Sequence, residues 1–120
     1  MAVILQPCGN KDARAHYNDT VMFPVPHDSV SSFLNETDND NLKDIYPDGM
    51  LKIWGVTPNN QGKWEKVEAG DITLFSKSGS IFASAVATYK IRNKPLAEKL
   101  WGLDAKGNAW EYIYFIAELQ

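Results

Sequence analysis

Residues 52–76 constrain the fold of this chain more than any other part of its sequence. An apolar run at 50–57 and a second one at 72–76 are separated by a loop that contains Pro, Asn and Gly. Short apolar runs bounded by such turn residues are typical of β-strands buried on at least one face. The segment therefore predicts two strands joined by a loop, with Trp54 on the first strand.

The position of Trp54 directly before Gly55 leaves two roles open for its side chain. A tryptophan on a strand commonly belongs to the core. An adjacent glycine, however, allows a ligand or another backbone to come close. Core residue and pocket wall are therefore both compatible with the local sequence.

Further short apolar runs predict the rest of the sheet. They occupy residues 2–6, 81–89 and 110–116, and the turn at 77–80 predicts a hairpin into the run at 81–89. Prolines in the run at 21–26 allow only an edge strand there. Strands and helices do not alternate, so we predict an α+β fold with a small, mostly antiparallel, barrel-like sheet of five or six strands.

Two or three short helices are expected to flank this sheet. The first spans 28–34, where apolar residues recur at helical spacing after a capping aspartate or serine. The second spans 95–101, with proline near its start and glycine after its end. Residues 11–20 show no sustained helical pattern, and 35–41 form an acidic loop or a helix end. A further helical turn is expected at 42–46.

The composition fits one domain spanning residues 1–120. The chain has 44% hydrophobic residues, which suffices for a core without disulfides at this length. It lacks a run of about 18 apolar residues that could span a bilayer, and its start lacks the basic segment of a signal peptide. We therefore expect a cytoplasmic protein without membrane contacts. Because the chain ends directly after a predicted strand, we also expect a domain excised from a longer protein.

Charge and aromatic content restrict the classes of binding site. The net charge of −3 argues against indiscriminate binding to nucleic-acid backbones, because most such proteins carry a basic surface. A basic cluster at 90–94 is compatible with a few phosphate contacts. Four tryptophans are many for this length, and each buried indole N–H needs a partner. We expect some of these tryptophans at the mouth of the predicted barrel, where β-barrels commonly bind ligands.

Signatures of enzymes are sparse in this sequence. The single cysteine, Cys8, excludes a disulfide framework and a cluster of thiolate metal ligands. A thiol–imidazole pair of Cys8 and His16 is the catalytic alternative, but their spacing does not set its geometry. Phosphate-binding glycine loops and EF-hand spacing are absent, and Asp71, in a turn before a strand, is expected to bind backbone amides. We therefore predict no catalytic residues, no metal site and no cofactor.

Motifs in the middle of the chain resemble the EVE/YTH branch of the PUA-like barrel superfamily. They are Ile-Trp-Gly-Val at 53–56, Gly-Asp at 70–71, Leu-Phe-Ser at 74–76 and Phe-Ala-Ser-Ala-Val at 82–86. The later part, at 96–102 and 110–115, resembles N-terminal modified-base reader domains of McrB-type restriction systems. The resemblance implies a PUA-like barrel that binds a modified base, a methylated one above all, in an aromatic cage.

The same resemblance implies which residues contact the ligand. Trp54 matches one wall of the cage, and Trp110, or Trp101 in its place, would supply a second wall. The backbone of Gly55 and Val56 would meet the edge of the base. The full set of cage candidates is Trp54, Gly55, Val56, Asn59, Trp64, Trp101 and Trp110. Phosphate contacts would come from Lys90, Arg92 and Lys94.

The function that follows from this resemblance is recognition of a flipped or single-stranded modified base. The expected role is the DNA-recognition module of a modification-dependent restriction system, with DNA favoured over RNA as the partner. Any catalysis would then lie in a GTPase or nuclease module that is fused to this domain or partnered with it. Two alternatives stay open: a reader of modified RNA bases, and a protein-interaction module on the same barrel without a nucleic-acid site.

Overall fold

The computed structural model describes residues 2–104 and 106–120. The strands are β1 (Val3–Pro7), β2 (Val25–Pro26), β3 (Met50–Val56), β4 (Ile72–Lys77), β5 (Ser80–Arg92) and β6 (Tyr112–Ala117). The α-helices are α1 (Lys11–Tyr17), α2 (Glu36–Ile45), α3 (Gln61–Glu65) and α4 (Lys94–Trp101). In the described residues, no helix combines the length and the apolar character needed to cross a membrane.

The strands form one mixed sheet in the order β1-β4-β5-β6-β3-β2. β1 and β4 are parallel, and every other neighbouring pair is antiparallel. The predicted α+β class and the six mostly antiparallel strands are therefore confirmed. Register shifts between Phe75 and Ser76, and between Ala87 and Tyr89, are of the kind that bends a sheet. Among the described strands β1 and β2 remain edges, so closure into a barrel stays a prediction.

Both faces of the sheet are covered, and β3 shows why. Successive side chains of a strand point to opposite faces. Trp54 and Val56 therefore join one cluster of buried residues, while Leu51 and Ile53 join another. We call these sides the Trp54 face and the Ile53 face. Helix α1 covers the Trp54 face, and α2 and α4 cover the Ile53 face.

The prediction of an α-helix at 28–34 is wrong. This segment forms two short 3₁₀ turns, His27–Ser29 and Ser31–Phe33, separated by Val30. The helix begins later, at Glu36, because the Asn35 side chain accepts the N–H of Asp38 at 2.7 Å and caps it. The acidic segment after residue 35 is thus the first part of a helix.

The polar segment after Cys8 is also helical, contrary to expectation. The side chain of Asn10 accepts the N–H of Ala13 at 2.7 Å and caps α1. A π-helical turn, Asn18–Met22, continues α1 and shortens the predicted edge strand at 21–26 to Val25–Pro26. The buried residues of α1 are only Ala13 and Tyr17, so its apolar pattern is too sparse for recognition from periodicity.

Candidate nucleic-acid interface

A cavity of about 540 Å³ opens where β1, α1, β3 and α3 meet. Trp54, Gly55 and Val56, at the end of β3, line it together with Trp110, which lies just before β6. The other lining residues are Gln6, Pro7, Asn10, Lys11, Asp12, Ala13, Thr57, Asn60, Lys63 and Asp104. The volume lies within the range of about 300–1,000 Å³ that is usual for ligand pockets. The fold thus brings four of the predicted cage residues to one cavity.

Trp54 is both a core residue and part of the cavity wall. Only 2% of its surface is exposed, and its ring packs against Phe75 with a centroid distance of 5.1 Å. Its ring also meets that of Trp110 at 5.3 Å and an interplanar angle of 79°. The two rings therefore form a corner, with the edge of one ring near the face of the other. Among the described residues, the buried Nε1 of Trp54 has no hydrogen-bond partner.

Gly55 is required by the close approach of two tryptophans. A β-carbon on Gly55 would lie 2.6 Å from the backbone oxygen of Trp110 and 2.8 Å from the Trp101 ring. Both distances are too short for a real side chain. The glycine therefore serves the packing of the tryptophans around the end of β3.

Trp101 lies behind Gly55, outside the set of residues that line the cavity. Its Nε1–H donates to the hydroxyl of Thr20 at 3.3 Å. Its ring is stacked with that of His16, at a centroid distance of 5.4 Å and an interplanar angle of 26°. The His16 ring in turn meets the Trp110 ring at 4.0 Å. Trp101 therefore supports the cavity wall from the rear.

Two further cage candidates, Trp64 and Asn59, also lie outside the cavity lining. Trp64 is held in α3, where its Nε1–H donates to the backbone oxygen of Ile113 at 3.1 Å. Asn59 is exposed in the 3₁₀ turn Pro58–Asn60, and its neighbour Asn60 lines the cavity instead. A direct contact of Trp64 or Asn59 with a base remains a prediction.

Two of the three basic residues predicted to contact phosphates, Lys90 and Arg92, make hydrogen bonds within the protein. Lys90 Nζ donates to the backbone oxygens of Trp64 at 3.1 Å and of Glu65 at 2.8 Å. Arg92 Nε pairs with a carboxylate oxygen of Glu111 at 2.9 Å. Lys94 begins α4. These three side chains lie outside the cavity lining, although phosphate contacts farther along a strand remain a prediction.

Local sequence patterns did not identify three polar residues at the cavity: Gln6, Lys11 and Lys63. Gln6 is 3% exposed and ends up beside the cavity because β1 pairs in parallel with β4. Lys11 and Lys63 reach the same cavity from α1 and α3. Their common location results from long-range packing, and no motif in the sequence signals it.

Cys8 and His16 do not show the features of an activated nucleophile. The Cys8 thiol is buried and donates to the backbone oxygen of Ala13 at 3.4 Å. Burial raises the pKa of this thiol and lowers the pKa of His16. A reactive cysteine needs a lowered pKa, so this environment is unsuited to thiolate chemistry. In the part of the chain that the structure describes, no group of His, Cys, Asp and Glu side chains is arranged to hold a metal ion.

Asp71 has the structural role that its position in the sequence predicted. One carboxylate oxygen accepts the N–H of Ala2 at 3.0 Å, and the other accepts the N–H of Glu68 at 2.8 Å. These hydrogen bonds lower the pKa of Asp71. Asp71 thus joins the start of the chain to the turn before β4.

Comparison with known proteins identifies a related fold. No family model matches the sequence, and no curated protein is significantly similar to it. A solved structure, the N-terminal domain of Thermococcus gammatolerans McrB bound to m5C DNA, superposes with a TM-score of 0.70 at 13% sequence identity. The match covers 97% of this chain and 72% of that one. The chain therefore has the fold of the N-terminal domain of this McrB protein.

Proposed function

We propose that this domain binds a modified nucleobase, flipped from a duplex or taken from a single strand, in the cavity beside Trp54 and Trp110. The observation that carries the proposal is the corner formed by these two rings at a ligand-sized cavity. The fold supports it, because the McrB domain with this fold is bound to m5C DNA. The biological role would be DNA recognition in a modification-dependent restriction system, with GTPase or nuclease activity in another module.

The geometry of the two rings suggests how a base would be held. The rings meet at 79°, and only 2% of Trp54 and 9% of Trp110 is exposed. A base in the cavity would therefore stack on one ring, and touch the edge of the other, once a ring has moved enough to expose its face. A sandwich between them would require the rings to separate. Stacking of one base on an aromatic ring is worth about 1–3 kcal/mol. A buried methyl group adds about 0.8 kcal/mol, so the apolar corner favours a methylated base modestly.

Polar groups at the cavity would recognise the edge of the base. Gln6 presents a buried carboxamide, which can both donate and accept hydrogen bonds. The backbone of Gly55 and Val56 lies on the same wall. Hydrogen bonds to base edges are the usual means of reading unstacked bases in proteins. Stacking would therefore supply affinity, and these groups would supply selectivity.

The proposal is tested by measuring affinity for labelled oligonucleotides by fluorescence anisotropy. Single- and double-stranded DNA would carry 5-methylcytosine, N6-methyladenine or unmodified bases, and matched RNA strands would be included. We expect tighter binding to one modified DNA. We expect Trp110→Ala to weaken that binding by about tenfold, which corresponds to about 1.4 kcal/mol of lost stacking. Trp110→Phe should retain part of it.

Phe23→Ala is the control for this experiment, because Phe23 is 65% exposed and does not line the cavity. Circular dichroism of each variant establishes that it is folded. Binding without any preference for a modified base, or a preference that survives in folded Trp110→Ala, would refute the proposal. Tighter binding to modified RNA would favour the RNA-reader alternative. Absence of nucleic-acid binding would leave the protein-interaction alternative as the better explanation of the fold.

A further inference from the structure

Lys63 places a partly buried ammonium group on the wall of the cavity. It lies in α3, and its Nζ donates a hydrogen bond to the backbone oxygen of Leu5 on the edge strand β1. Burial lowers the pKa of Lys63. A cation that has lost part of its hydration is unfavourable unless other groups compensate. Lys63 therefore differs from the exposed lysines of the surface.

In the described part of the chain, no carboxylate lies within ion-pair distance of Lys63. Within residues 2–104 and 106–120, the one pair of oppositely charged side chains with an N···O distance below 4.0 Å is Arg92 with Glu111. An ammonium group has three donors, and the Leu5 carbonyl uses one of them. Lys63 thus retains hydrogen-bond donors at the cavity, and no described carboxylate is in direct contact with its charge.

Contacts other than that of Lys63 also hold α3. The Tyr112 hydroxyl donates to the Gln61 side chain at 2.9 Å, and Trp64 Nε1–H donates to the backbone of Ile113 at 3.1 Å. Lys90 also holds the end of the helix through two backbone oxygens. Lys63 therefore lies on an element that is held in place by several contacts besides its own.

Neither of the acidic residues that line the cavity, Asp12 and Asp104, is paired with Lys63. Asp104 lines the cavity, but one of its oxygens accepts the N–H groups of Lys106 and Asn108 at 2.9 Å each. Asp12 also lines the cavity and directly follows Lys11, which adds a second positive charge there. The two lysines balance the two carboxylates, and one carboxylate is occupied by its own turn.

We propose that Lys63 binds a phosphate group adjacent to the base held in the cavity. This inference rests on the proposed function, because the anion is the backbone of the bound nucleic acid. Lys63 would exchange or share its contact with the Leu5 carbonyl for a phosphate oxygen. It would take the role expected of Lys90 and Arg92, whose charged groups are already paired within the protein.

The test is the salt dependence of oligonucleotide affinity. Each phosphate contact contributes about 0.9 to the slope of log K against log salt concentration for duplex DNA, and about 0.7 for single strands. We expect Lys63→Gln to reduce the slope by that amount and to weaken binding of modified and unmodified strands by the same factor. Lys63→Arg, which keeps the charge, should retain the slope.

Lys66→Gln is the matched control, because Lys66 is exposed, lies three residues away and does not line the cavity. The salt dependence measured for this variant should have the same slope as that of the wild-type protein. Unfolding curves establish that each variant is folded. An unchanged slope in Lys63→Gln, or a reduced slope in Lys90→Gln or Arg92→Gln instead, would overturn this inference while leaving base recognition intact. Failure of the wild-type protein to bind any oligonucleotide would overturn both proposals.

Discussion

The backbone oxygen of Trp110 lies so close to Gly55 that a β-carbon at position 55 would be only 2.6 Å from it. The Trp101 ring also lies close to this position, at 2.8 Å. Gly55 therefore allows two tryptophans to approach the end of β3 closely, one of which, Trp110, packs against Trp54. The corner of the cavity depends on the absence of a side chain at position 55.

Substitution of Gly55 by alanine should destabilise the protein and displace Trp110. Overpacking in a close-packed core costs about 1–3 kcal/mol, so we expect a lower urea midpoint and a changed tryptophan emission spectrum. Gly62→Ala, in α3, is the matched control, because a β-carbon there would have no described atom within 4 Å. Alanine is the better helix former, so this control should keep or raise the midpoint. Equal midpoints for the two variants would contradict the packing described.

Thr20 joins the π-helical turn to β3 and to Trp101, and its hydroxyl should be essential to that junction. The hydroxyl oxygen lies 2.5 Å from the Ile53 backbone oxygen and accepts from Trp101 Nε1 at 3.3 Å. Thr20→Val keeps the shape but removes these two contacts and a third one, with the His16 backbone oxygen at 3.0 Å. Buried groups without partners cost about 1–3 kcal/mol, and denaturant unfolding should show a loss of that size. Thr37→Val, at an exposed position of α2, should change stability little.

Two tyrosines should make the fold sensitive to alkaline pH. Burial raises the pKa of Tyr46 and that of Tyr114 to about 12. The folded state favours the neutral phenol over the phenolate. The contribution of the two tyrosines to the free energy of unfolding is therefore complete below the ordinary pKa of 10.0, and it is lost as the pH rises from there towards 12. Titration of tyrosinate absorbance should show a late component that decreases in Tyr46→Phe and in Tyr114→Phe. A titration that is complete near pH 10 would contradict this assignment.

His16 should make the aromatic cluster sensitive to acid. Burial lowers its pKa below the ordinary value of 6.5, while Asp12 and Asp19 act in the opposite direction. The unfolded state therefore takes up a proton more readily, and stability should decrease as the pH falls through about 6.5. Urea unfolding on either side of that pH measures the effect. His16→Phe should remove this part of the pH dependence, and an unchanged dependence in that variant would exclude His16 as its source.

Much of the strand pattern was predictable because it depends on neighbours in the sequence. The runs around Trp54 and Phe75, and the hairpin into β5, were found at the expected positions. Helix α1 was not predicted, because only two of its residues, Ala13 and Tyr17, are buried and they form no recognisable helical pattern. Both residues pack on the Trp54 face, and this tertiary contact stabilises the helix. At 28–34 a suitable apolar spacing was not sufficient for an α-helix: the segment forms two 3₁₀ turns, and the helix begins only after the cap at Asn35.

Local sequence determined that Trp54 lies on a strand and that a glycine follows it where close approach is needed. Whether a ligand or the protein itself makes that approach was decided by tertiary structure, and the answer at Gly55 is the backbone of Trp110 and the ring of Trp101. Tertiary structure also brought Gln6 and Lys63 to the cavity. The physical reason is that strand periodicity is a property of adjacent residues, whereas the cavity is formed by elements that are far apart in the chain.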